Sequence, residues 1–208
     1  MPETPPDFLF DGPEDTPLTL ALAHGSGAPM DSPAMNHHAA GIAAQGLRVV
    51  RFEFPYMAVR RQGGKQRPPD REPKLLDTWR TVIAALGPER LAIGGRSMGG
   101  RMASLLADEA GVCALVCISY PFHPPGKPER LRTAHLEAIR TPTLIVQGTR
   151  DPFGSPEEIA GYSLSPAIRL HWSEDGDHGL KPRKASGRSE AQNWQEAEAA
   201  IVAFLAEI

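Results

Sequence analysis

A serine hydroxyl attacks a carbonyl at neutral pH only if a base takes its proton and nearby donors hold the charge that builds on oxygen. Ser97 is placed for such work. It is the middle residue of Gly95-Arg96-Ser97-Met98-Gly99, the spacing of a sharp strand-to-helix turn. Such a turn forces its central residue into a strained backbone, and small neighbours let strand and helix close on each other. The hydroxyl then stands exposed beside the positive end of a helix. Five residues with two glycines are a weak signal alone, and a glycine-rich turn that happens to hold a serine is the plain alternative. The context favours the chemistry. Leu91-Ala92-Ile93 reads as a buried strand before the turn, and the small residues from Met98 onward read as a helix after it.

The base is expected to be His178. It follows the last apolar run, in Gly176-Asp177-His178-Gly179, on a glycine-bounded loop that can reach over a sheet edge. Its rival reading is a surface-loop histidine. An imidazole in this role needs a carboxylate to hold its tautomer and stabilise its cation. Asp151, in Gly148-Thr149-Arg150-Asp151-Pro152, suits that role, although Asp-Pro is also an ordinary turn starter. Asp175 and Asp177 are the fallback acids, and Asp177 would have to bend back on its own neighbour. The chain order Ser97, Asp151, His178 is one in which such triads occur. Two backbone donors are expected for the oxyanion, the N–H of Met98 and the N–H of Ser26 in His24-Gly25-Ser26-Gly27. His24 is expected to brace that turn with its ring. His171 lies inside a strand and is expected to point to a face of the sheet.

These residues must be carried by elements that bring them together. Strands are read at residues 18–23, 47–54, 91–93, 112–120, 143–147 and 168–172. Helices are read at 32–45, 75–86, 131–139, from Pro156, and along the stripe Trp194, Ala197, Ile201, Phe204 and Leu205. Residues 55–73 and 173–189 read as long polar loops. Several strands are apolar on both faces, and strands alternate with helices. The fold class is therefore α/β, with a mostly parallel central sheet of about six or seven strands and helices on both faces. The functional loops gather at the C-terminal ends of such strands. Residues 1–16 are expected to form a loosely held, Pro- and acid-rich arm, and 17–208 a single domain.

The chain has 208 residues and a formal net charge of -3. Nothing global points to nucleic acid or to an anionic membrane. No apolar run is long enough to span a bilayer, and the N-terminus lacks the basic start and apolar stretch of a signal peptide. Cys113 and Cys117, four apart on one strand, would lie ~13 Å apart, which excludes a disulfide between them. Both are read as small core residues of a cytoplasmic protein. No spaced cluster of metal ligands is visible, and the serine chemistry calls for no metal or organic cofactor.

The chain resembles a compact α/β-hydrolase, similar to the dienelactone hydrolase branch. More narrowly it is similar to the small group related to testis-expressed protein 30 and KAT8 regulatory complex subunit 3. The resemblance rests on His24-Gly25-Ser26-Gly27, Met30-Asp31-Ser32, Arg51-Phe52-Glu53-Phe54-Pro55-Tyr56 and Gly95-Arg96-Ser97-Met98-Gly99-Gly100. Tyr120 to Pro128, Gly148-Thr149-Arg150-Asp151 and Gly176-Asp177-His178 complete it. It implies Ser97 as nucleophile, Asp151 as acid, His178 as base, and no substrate in particular. The dienelactone branch usually carries Cys where Ser97 stands, and the loop after Tyr120 is too short for a cap domain. The expected partner is a small ester or thioester. The basic loops carrying Arg60, Arg61, Lys65, Arg67, Arg71, Lys127, Arg130, Lys181, Arg183, Lys184 and Arg188 raise an anionic substrate as one option and plain solvated charge as the other. A non-catalytic hydrolase-fold interaction module is the alternative function. A dinucleotide-binding domain is disfavoured, because Met30 stands where the third glycine of its fingerprint would fall.

Overall fold

The computed structural model describes residues 4–65 and 67–208. In chain order it runs β1 (Phe8–Asp11), β2 (Thr19–Ala23), α1 (Pro33–Ala43), β3 (Arg48–Phe52), α2 (Pro55–Arg61), α3 (Glu72–Leu86), β4 (Leu91–Arg96), α4 (Met98–Ser104) and α5 (Ala107–Ala110). It continues with β5 (Ala114–Ile118), β6 (Thr143–Gly148), α6 (Pro156–Ile159), β7 (Ile168–Ser173) and α7 (Glu190–Leu205), with short 3-10 turns at Ala134–Glu137 and Lys184–Ser186. The strands form one seven-stranded sheet in the order β1-β3-β2-β4-β5-β6-β7. Only β1 is antiparallel to its neighbour; the other six strands are parallel.

The alternation of side chains along each strand builds two cores. Ala21 and Ala23 of β2, Leu91 and Ile93 of β4, and Leu115 and Cys117 of β5 face α3 and α4, where Trp79, Val82 and Met102 cover them together with Leu106 at the head of α5. Leu20 and Leu22, Ala92, Ala114 and Val116 face the other way, onto Met35, Ala39 and Ile42 of α1 and Ala197, Ile201 and Phe204 of α7. Phe52 packs edge-on against Trp79 at 4.7 Å and against Phe54 at 5.5 Å. Burying one such ring contributes roughly 1.5–3 kcal/mol, more than an exposed ion pair, which is worth about 0–1 kcal/mol. The sheet is therefore held by its two apolar faces. All six parallel strands point the same way, and the loops after β2, β4, β6 and β7 share one edge. No helix is long and apolar enough to cross a membrane among the described residues, and no cap domain stands over that edge among them.

The structure departs from the sequence reading in four places. Phe8–Asp11, expected within the loose arm, forms an edge strand paired with β3, and Asp11 accepts from Arg51 at 2.8 Å; residues 1–3 of that arm lie outside the described residues. Four residues between prolines and acids carry too little pattern to be read as a strand. Part of the loop expected at 55–73 is α2, which starts on Pro55 at its first position and buries Tyr56 and Met57. Seven residues are too few to show a period, and Gln66 of that loop lies outside the described residues. The helix expected at 131–139 is one 3-10 turn. The turn spans Ala134–Glu137 and buries Leu136; Thr133 and Ile139, buried on either side of it, lie outside it. Finally, Cys117 is buried but Cys113 precedes β5, is only half-buried, and donates to the carbonyl of Glu89.

Candidate active site

Ser97 occupies the turn between β4 and α4 with φ 51° and ψ −115°, a conformation that non-glycine residues avoid. Its neighbours make the turn possible. A Cβ on Gly95 would stand 2.2 Å from the carbonyl oxygen of Ala23, and one on Gly99 2.5 Å from the same oxygen. The turn is pinned by the N–H of Ser97, which donates to Ile118 at 2.9 Å. The hydroxyl is left at the head of α4, half-exposed.

His178 reaches it from the loop after β7, and its Nε2 lies 2.9 Å from Ser97 Oγ. Its Nδ1 lies 2.8 Å from Asp151 Oδ2. A carboxylate only accepts, so Nδ1 carries the proton and Nε2 is free to accept from the serine hydroxyl. Asp151 is almost fully buried. Its Oδ2 also accepts from Gln147 Nε2 at 2.9 Å, and its Oδ1 accepts from the N–H of Phe153 at 2.9 Å. The Phe153 ring lies along the imidazole, with centroids 4.2 Å apart. The fallback acids are engaged elsewhere. Asp177 accepts from the amides of Gly179 and Lys181. Asp175 is paired with Arg183 and Arg150, and the Arg183 hydrogen bond holds its carboxyl below the usual range.

The His178 loop is positioned from behind by α7. Asn193, fully buried, donates from Nδ2 to the carbonyls of Glu174 (3.0 Å) and Leu180 (2.8 Å). Trp194 Nε1 donates to the carbonyl of Gly179 at 3.0 Å. Arg96 donates to the carbonyl of His178 itself at 3.4 Å.

Two cavities meet at the serine. One, of about 190 Å³, lies against Gly25, Ser26, Arg96, Ser97 and His178. The other, of about 350 Å³, lies against Ser26, Ser97, Met98, Arg101, Arg132 and His178. Met98 begins α4, so its N–H has no acceptor within the helix. The Gly25–Gly27 turn approaches closely: a Cβ on Gly25 would sit 3.8 Å from that of Ser97. Tyr56 Oη donates to the carbonyl of Ser26 at 3.0 Å. His24 Nδ1 donates to Gly25 at 2.7 Å, while its Nε2 accepts from the amide of Phe54 at 3.1 Å. Because Nε2 accepts an N–H, the ring braces the turn as a neutral imidazole, and burial holds its pKa below the ordinary value.

Ser97, Asp151, His178, Met98 and Ser26 thus share one corner of the molecule. In the sequence, Gln147, Phe153 and Asn193 were not singled out, and Trp194 only as part of the apolar stripe of the last helix; Gln147 stands out there as a polar residue at the end of an apolar strand. Of the two options raised for the loop cations, plain solvated charge fits their placement. None of them lines the two cavities; Arg61 is paired with Glu53 and Asp31, Arg183 with Asp175, and Arg188 with Glu196. The arginines beside Ser97 are Arg96, Arg101 and Arg132. Among the described residues, no three His, Cys, Asp or Glu side chains are grouped to hold a metal ion.

Residues 16–206 match the family described as an alpha/beta hydrolase domain. Among solved structures, the chain is similar to an alpha-beta serine hydrolase homologue from Coxiella burnetii (TM-score 0.71, 17% identity, covering 94% of this chain and 89% of that one). It is also similar to an alpha/beta serine hydrolase without a lid from Xanthomonas campestris (TM-score 0.67, 19% identity, 94% and 88%). A third is the esterase domain of a Rhodothermus marinus protein (TM-score 0.67, 16% identity, 94% and 90%). At these identities the likeness is one of fold.

Proposed function

The chain belongs to the alpha/beta hydrolase domain family, and from that premise we propose that it is a serine hydrolase cleaving a small ester or thioester. The observation that carries this reading is the hydrogen-bonded line from buried Asp151 through His178 to the Ser97 hydroxyl, 2.8 Å and 2.9 Å long, ending at a cavity. In the proposed reaction Ser97 Oγ attacks the carbonyl carbon as its proton passes to His178 Nε2. Asp151 stabilises the imidazolium. The N–H groups of Met98 and Ser26 hold the oxyanion. The imidazolium then protonates the departing alkoxide or thiolate, leaving an acyl group on Ser97. Water, deprotonated by the same imidazole, frees the acid and restores the serine.

The finer resemblance, to dienelactone hydrolase-like proteins and the group related to testis-expressed protein 30, supports a hydrolase without naming a substrate. The two free thiols fit a reducing compartment such as the cytoplasm.

The test is a fluorophosphonate probe with a panel of esters, thioesters and lactones. Wild type is expected to label and Ser97→Ala to stay unlabelled. Ser97→Ala and Asp151→Asn should each lose on the order of 10⁴-fold in rate with the fold intact, and Asp177→Asn should lose little. Ser97→Ala activity within tenfold of wild type would overturn the assignment. A wild type that neither labels nor cleaves would leave the fold as an interaction module.

A further inference from the structure

The larger cavity holds more positive charge than acyl transfer needs. Arg101 and Arg132 line it together with Ser97 and Met98. Arg101 lies one turn after the serine on α4, its N–H donating to the Ser97 carbonyl at 3.0 Å. Long helical side chains lean back toward the N-terminus, which brings this guanidinium toward the Ser97 end, about 6 Å of helix away. One edge is tied, because Nη2 donates to Glu72 at 2.8 Å. Its Nε–H is buried and has no acceptor.

Arg132, which lines the same cavity, is half-buried. Its backbone is fixed, with its N–H donating to Phe122 at 2.7 Å and its carbonyl accepting from Tyr120 Oη at 2.9 Å. Burial and then the neighbouring Arg101 cation both act against its charge, and no carboxylate opposes them among the described residues. Glu72 already balances Arg101, so Arg132 is the guanidinium left without a carboxylate, and an anion seated between the two would supply one. The flat donor forks of two arginines match the oxygens of a carboxylate or a phosphate.

We propose that Arg101 and Arg132 form an anion subsite, which takes a carboxylate or phosphate group carried by the substrate a few bonds from the scissile carbonyl. The enzyme then selects anionic esters or thioesters. This deepens the serine-hydrolase reading and rests on it. The charge that selects is thus not that of the surface loops but that of two arginines inside the cavity.

Mono-(4-nitrophenyl) glutarate and 4-nitrophenyl pentanoate have acyl chains of equal length and differ in the terminal charge. Wild type is expected to favour the glutarate ester in kcat/KM. Arg101→Gln and Arg132→Gln should each lower the glutarate-to-pentanoate ratio about tenfold or more, as loss of a charge-assisted hydrogen bond implies. Lys127→Gln, on an exposed loop outside the cavity, should leave the ratio alone. A ratio unmoved in both arginine variants overturns the proposal. If wild type cleaves neither ester and takes no fluorophosphonate, the hydrolase reading has failed, and calorimetry decides the subsite by itself. Glutarate monoamide and inorganic phosphate are titrated into wild type and Arg132→Gln. Binding of either that is lost in the variant supports the subsite and says which anion it takes. Absence of binding by both overturns it.

Discussion

The Asp151 carboxylate accepts three hydrogen bonds, and only one comes from the imidazole. A buried charge is tolerated when its lone pairs are met. Gln147 and the Phe153 amide meet them here, and they also fix the direction in which Oδ2 faces His178. A half-buried histidine outside the site has a measurable consequence. His135 Nε2 lies 2.8 Å from Ser104 Oγ, and burial, then the Arg101 cation, lowers its pKa to about 4. In the unfolded chain it titrates near 6.5. Between these values the unfolded state binds the extra proton, so stability is lost as pH falls from about 6.5 to about 4 and levels off below. Discounted for the partly exposed ring, this is about 1–2 kcal/mol that His135→Gln should not lose. Urea unfolding of both proteins at pH 7, 5 and 4 measures it, and parallel curves would contradict it. That Ser97, Asp151 and His178 come together was legible because each sits among glycines or turn residues between apolar runs. Gln147 and Phe153 were not, because one polar residue ending a strand, or one aromatic in a loop, has many fates that only packing decides.

Helix α7 does more than cover a face of the sheet. Its second turn supplies Asn193 and Trp194, whose donors hold the carbonyls on either side of His178. Asn193→Leu is expected to leave the Glu174 and Leu180 carbonyls unpaired at a cost of about 1–3 kcal/mol. It should lower kcat with the Ser97 turn intact, and faster hydrogen exchange confined to residues 174–181 would identify the cause. Unchanged exchange there would show that the loop does not depend on this clamp. At this scale the sequence was readable wherever an element was long or fully apolar, as with α3, α7 and β4 to β6. It failed for β1, α2 and the turn at Ala134–Glu137, each of seven residues or fewer and defined by what it packs against.

In the whole molecule, the antiparallel strand β1 closes the flank that β3 would otherwise expose. An uncovered flank is a template for other chains. Deleting residues 1–12 should remove the Arg51–Asp11 pair and that cover. A loss of about 1–2 kcal/mol would lower Tm by roughly 2–8 °C in a chain of this size. Light scattering should rise with protein concentration, and a truncated protein as stable and as monodisperse as the full chain would refute this role. The order of strands has a further consequence, for how the chain is made. From β4 onward, each new strand joins the edge left by the one before it, β4, β5, β6, β7. The sheet can therefore lengthen in the direction of synthesis, and each exposed edge waits only for the next strand to emerge from the ribosome. Asn193 and Trp194 are translated after every other residue of the site. On the proposed serine-hydrolase reading, a nascent chain that already carries Ser97 and Asp151 still lacks the clamp behind His178, and it is expected to stay inert until its last helix docks.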